Sequence, residues 1–96
     1  MLESVFQAKL IKKLESLFPG CVILKNDPNY IQGFPDLLIL YKDKWAALEC
    51  KESQFADRQP NQEYYVEYLN DMSFSDFIYP NNEEEILDEL QCAFES

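Results

Sequence analysis

Leu2, Phe6, Leu10, Leu14 and the Leu17-Phe18 pair recur at three- and four-residue steps, while Lys9, Lys12, Lys13 and Glu15 fall mostly off that stripe. This period predicts an amphipathic helix over residues 2–18, stopped by Pro19-Gly20. Cys21–Lys25 is a short β-branched run and predicts a strand. Asp27-Pro28-Asn29 is turn chemistry, and Gly33 allows a second turn. Phe34–Tyr41 is almost continuously apolar apart from Asp36, the pattern of a strand buried on both faces. A tight polar turn at Lys42-Asp43-Lys44 leads into a returning strand, Trp45–Lys51, and Glu52–Asp57 reads as a loop. Arg58–Met72 predicts a helix with Pro60 tolerated in its first turn and Tyr65, Tyr68, Leu69 and Met72 facing inward. Ser73–Tyr79 alternates and ends at Pro80, as a strand would. Asn81 or Asn82 caps a last helix whose first turn carries Glu83, Glu84 and Glu85, where acids suit the N-terminal dipole. Ile86, Leu87, Leu90 and Phe94 form its inner stripe. The order α-β-β-β-α-β-α predicts an α/β fold, one mixed sheet with helices packed on it.

Length and composition narrow this further. Ninety-six residues with 47% hydrophobic and 15% aromatic content make one small domain, 1–96, with no linker or repeat. No apolar run approaches the roughly 18 residues of a membrane helix, and the N-terminus lacks the apolar stretch of a signal peptide. A cytoplasmic protein with no membrane partner is expected. All eight cations lie in residues 1–58, balanced there by eight acids, whereas residues 59–96 hold ten acids and no base, giving the net charge of −10. An isoelectric point near 4.2 argues against a general nucleic-acid binder but leaves room for a local positive site on the front half. With no histidine and three widely spaced cysteines, Cys21, Cys50 and Cys92, the chain offers neither a zinc site nor a His-dependent nucleophile. The thiols are expected to be reduced and mostly buried.

One polar set breaks the core pattern. Asp36 opens an otherwise apolar strand, and Glu49 and Lys51 end another. A charge in such a strand costs several kcal/mol unless paired or bound to a metal. Glu49 and Lys51 are two apart and share a face. If Tyr41 pairs with Lys44 across a two-residue loop, Asp36 falls opposite Glu49 on that face, with Cα atoms about 4.5–5.5 Å apart. Two carboxylates so close call for a hard cation with oxygen ligands, Mg²⁺ or Mn²⁺. Lys51 beside such an ion can hold and polarise an attacking water, a combination suited to phosphodiester hydrolysis without histidine. A three-residue loop would instead turn Asp36 to the wrong face.

Gly33-Phe34-Pro35-Asp36, then twelve residues, then Glu49-Cys50-Lys51, resembles the signature of the PD-(D/E)xK nucleases. The α-β-β-β-α-β order resembles that superfamily's restriction-endonuclease-like core, here followed by a C-terminal helix. Glu3 and Gln7 in the first helix, the glycine before Pro-Asp, and Gln62 with Tyr65 after the lysine resemble the VRR-NUC branch and its Holliday-junction-resolvase relatives. The resemblance spans about residues 1–80. It implies a metal held by Asp36, Glu49 and the Cys50 backbone carbonyl, with Glu3 completing the shell. It implies Lys51 serving the water, Gln62 orienting groups of the site or of DNA, and Tyr65 packing behind it. It further implies a homodimeric Mg²⁺- or Mn²⁺-dependent endonuclease that cuts branched DNA, of a kind common in bacteria and phages. Lys9, Lys12, Lys13, Lys25, Lys42, Lys44 and Arg58 are the candidate DNA contacts, most of them imagined as rimming the site.

The acidic back half departs from the family's positive surfaces and keeps two rivals open. One is a non-enzymatic acidic protein that mimics DNA and inhibits a nucleic-acid-binding enzyme. The other is a nuclease fold kept as a weakly active subunit of a larger complex. A mimic has no need of Asp36, Glu49 and Lys51 in core strands.

Overall fold

In the computed structural model, which describes residues 1–95, α1 spans Glu3–Leu17. Phe6, Leu10 and Leu14 bury one stripe of it, and Phe18 just beyond is buried too, while Leu2 and Leu17 stay exposed. Then follow β1 (Val22–Lys25), β2 (Leu37–Tyr41), β3 (Lys44–Cys50), α2 (Pro60–Met72), β4 (Phe74–Ile78) and α3 (Glu83–Glu95). The order matches the expected one. The strands form a single mixed sheet in the order β1-β2-β3-β4, antiparallel up to β3, with β4 parallel to β3. A parallel neighbour requires a crossover, and α2 supplies it.

The β2–β3 register follows the two-residue loop. Tyr41 pairs with Lys44 and Leu37 with Leu48. Lys42 takes the left-handed conformation, φ 57°, that so short a loop needs. β2 begins at Leu37 rather than Phe34, because Pro35 has no N–H to give the ladder.

Pleating divides the sheet residues between two faces. On one face Leu37, Ile39, Ala46, Leu48, Cys50 and Ile78 pack with Phe6, Leu10, Leu14 and Phe18 and with Ile86, Leu87, Leu90 and Phe94 of α3. This is the main core, covered by α1 and α3. Among the described residues, α2 is the helix that covers the other face, lying against β3 and β4. Its β1–β2 half is open: Val22, Leu24 and Leu40 are 51%, 45% and 39% exposed. β2 is therefore not buried on both faces as its apolar run predicts. On α2 the expected Leu69 is buried and Tyr65 half-buried, but Val66 is the other buried residue, whereas Tyr68 and Met72 are exposed. Cys50 is buried, Cys21 half-buried and Cys92 exposed, all as free thiols, so Cys92 departs from the buried expectation. No helix among the described residues is long and apolar enough to cross a membrane.

Candidate metal centre

The hairpin ladder ends at the Leu37–Leu48 pair, and the next residues outward are Asp36 and Glu49. The Cys50 N–H donates to Asp36 Oδ2 at 3.0 Å, fixing that carboxylate against the end of β3. In a strand the N–H and C=O of one residue point the same way. The Lys51 N–H turns to Ile78 of β4, so the Cys50 carbonyl points back to the Asp36 side. Glu3, in the first turn of α1, completes the group: carboxylate oxygens of Glu3, Asp36 and Glu49 all lie within 4.8 Å of one another. Gln7, one helical turn further on, lies near the Cys50 thiol and partly offsets the rise that burial gives it.

Glu49 is 2% exposed, and its Oε1 is buried with no hydrogen-bond partner. A buried carboxylate oxygen left alone costs on the order of 1–3 kcal/mol or more. Burial, then the adjacent Asp36 charge, pushes Glu49 up to about 8, with Lys51 acting in the opposite direction and Glu3 adding to the rise. Burial raises Asp36 as well, offset in part by the Cys50 N–H and Lys51. Glu3 is raised by burial and by Asp36. Burial is the largest cause for each, so the three acids resist ionising together. Oxygens about 2.0–2.1 Å from an octahedral Mg²⁺ ion sit about 2.9 Å apart when adjacent and about 4.2 Å when opposite, so the three carboxylates would have to draw together around one ion. The donors are oxygens alone, which suits Mg²⁺ or Mn²⁺.

Lys51 is buried beside this group, its Nζ 3.9 Å from Glu49 Oε2. It is held by Gln62, whose Oε1 accepts from Lys51 Nζ at 2.9 Å while its Nε2 donates to Glu49 Oε2 at 3.2 Å. Gln62 is fixed in turn by a capping box: its Oε1 also accepts the Gln59 N–H at 3.0 Å, and Gln59 caps the Gln62 backbone. Gln59 went unnoticed in the sequence, although Gln-Pro-x-Gln carries the spacing of that motif. Asn26 was missed too. Its N–H donates to the Asp36 carbonyl at 2.8 Å and its Nδ2 to the Pro35 carbonyl at 2.8 Å, tying the end of β1 to the Pro-Asp segment. Tyr65 packs edge-on against Phe34, 5.5 Å between ring centroids, joining α2 to the chain that leads into Asp36.

The expected site residues Glu3, Asp36, Glu49, Lys51 and Gln62 therefore meet in one place. The cations do not. Lys42 and Lys44 lie at the hairpin turn, about 15 Å along the strands from Asp36 and Glu49. Lys42 sits over the Tyr41 ring, and Lys13 pairs with Glu83 at 2.8 Å. Lys9 and Lys12 are exposed along α1. Lys25, paired with Leu37, is at the Asp36 end. Arg58 lies over Phe77, the β4 neighbour of Glu49, at 3.9 Å. Of these cations, Lys25 by its strand pairing and Arg58 by its contact with Phe77 lie at the carboxylate end of the sheet. A hollow of about 480 Å³ by α3 has Asp76, Asp88 and Glu89 in its lining and no cation, which disqualifies it as a phosphate site.

Comparison with family models, with curated proteins and with solved structures finds no match to this chain.

Proposed function

We propose that this protein is a divalent-metal-dependent endonuclease with a restriction-endonuclease-like core, hydrolysing DNA phosphodiester bonds, with branched or distorted DNA as its preferred substrate. The observation that carries this reading is the buried, unpartnered Glu49 Oε1 inside a three-carboxylate cluster, beside a buried lysine. Neither feature stabilises a fold by itself.

Asp36, Glu49 and Glu3 would hold the ion, with the Cys50 carbonyl directed to the same side. Once bound, Mg²⁺ or Mn²⁺ would polarise the phosphate and stabilise the charge that develops on it. Lys51 would hold the attacking water and balance the pentavalent transition state. Gln62 is the positioning residue: it keeps the ammonium group and Glu49 in fixed relation. The open apolar half of the sheet offers a surface to a second copy of the chain, in keeping with a homodimer. The rival, an acidic mimic of DNA, draws on the exposed acids of α2 and α3 but leaves Lys51 and Glu49 without purpose.

The test is cleavage of linear duplex, flap and four-way-junction DNA with Mg²⁺ and with Mn²⁺. Lys51→Ala and Asp36→Ala should keep the wild-type circular-dichroism spectrum and lose at least about a hundredfold in rate. Metal-independent cleavage, or none on any substrate, would overturn the reading.

A further inference from the structure

Two loops leave the carboxylate cluster. One, residues 26–36, runs into Asp36; the other, residues 51–59, runs out from Lys51. Each presents a large ring to water: Tyr30 is 84% exposed and Phe55 83%. Aromatic rings so exposed, on both loops beside one site, have no part in the core. Tyr30 also stands at a cavity of about 410 Å³ lined by Asn26, Asp27, Tyr30, Ile31 and Phe34. That volume is within the range of small-molecule sites and ample for one heterocycle.

The cavity is built onto the metal centre. Asn26 donates to the carbonyls of Pro35 and Asp36, so one wall is hydrogen-bonded to the backbone that carries Asp36. Phe34, another wall, packs on Tyr65, one turn along α2 from Gln62. The lining joins apolar ring faces to an amide and a carboxylate, which suits a flat heterocycle with hydrogen-bonding edges. Lys25, next in the chain to Asn26 and exposed, is the adjacent cation for a phosphate. In paired DNA a base is stacked and its hydrogen-bonding edge is occupied, so only an unpaired nucleotide can present itself to such a pocket.

We propose that this cavity takes the base of an unpaired nucleotide next to the phosphate that is cut, with Tyr30 stacking on it. The inference rests on the nuclease reading and deepens it: the feature recognised in a branched substrate is an unstacked base, not the bend of the duplex.

Two measurements separate this from the parent reading. In the first, a single strand carrying one 2-aminopurine is titrated with the full chain in Ca²⁺, and the fluorescence quench on stacking is followed. Tyr30→Ala should weaken binding about tenfold and reduce the quench, Tyr30→Phe should restore both, and an abasic residue at the probe position should abolish the difference between variants. In the second, cleavage is compared between DNA with one unpaired nucleotide beside the cut and the same DNA with that nucleotide abasic. Wild type should prefer the former and Tyr30→Ala should not. A quench that depends on Tyr30, with no cleavage under any metal, would uphold the pocket and sink the nuclease. Cleavage indifferent to Tyr30 and to the abasic change would uphold the nuclease and sink the pocket.

Discussion

Glu49 concentrates the electrostatics of this protein. Its acid form persists to about pH 8 in the folded chain, against an ordinary value of 4.5, because burial and Asp36 oppose ionisation. Between those values the folded chain holds more protons than the unfolded one. Stability is therefore full below about 4.5 and falls as pH rises through 8. Asp36 and Glu3 are shifted in the same direction and add to the trend. In the absence of divalent ions, the Tm should be lower above pH 8 than just above pH 4.5. Glu49→Gln should flatten that slope, and Mg²⁺ or Mn²⁺ should raise the alkaline Tm of the wild type but not of the variant. Thermal melts across the pH range check all three. At this scale Asp36, Glu49 and Lys51 were legible because each interrupts an apolar strand, so the cost of burying it demanded a reason. Gln59 and Asn26 were not, since a polar residue in a loop interrupts nothing.

The elements position the site through a few close approaches, one of them at Gly33. Its φ of +87° belongs to the region that favours glycine, and an added Cβ would strike Asn61 Cβ and come within 2.9 Å of the Asn61 carbonyl carbon. The loop before Asp36 thereby rests directly on the N-terminus of α2, one residue from Gln62. Gly33→Ala should destabilise the fold by about 1–3 kcal/mol. It should also push Gln62 away from Lys51, so cleavage at a temperature where the variant is folded should fall further than its folded fraction does. Urea melts and rates on the same preparation test this. The hairpin was readable because a two-residue loop allows one register, and that register decides which face Asp36 takes. The inner face of α2 was misread for an equally local reason. Tyr64, Tyr68 and Met72 run at helical spacing beside Val66 and Leu69, and the period does not say which stripe meets the sheet.

Across the whole molecule, charge and cover are unevenly distributed. The acids of α2 and α3 face solvent with almost no neutralising cations, and besides the buried Lys51 it is Lys25 and Arg58 that share the carboxylate end of the sheet. Duplex DNA should therefore bind weakly. Glu84→Gln with Glu85→Gln, both exposed and neither paired with Lys13, should raise duplex affinity several-fold at low salt and leave it unchanged at high salt. Filter binding over a salt series measures this; an equal gain at all salts would point to a change in fold instead. The segregation of charge could be counted from the chain. The open half of the sheet could not, because coverage by one helix on one face and two on the other depends on how far α2 reaches. The β2–β3 turn has a consequence in time as well as in space. Its Asp36 and Glu49 ends are only thirteen residues apart, so the hairpin closes early, when loop entropy is least. The repulsion between the two acids is thus met at the opening step of chain collapse, and a divalent ion that relieved it would act first on the rate of folding and only later on the lifetime of the folded state.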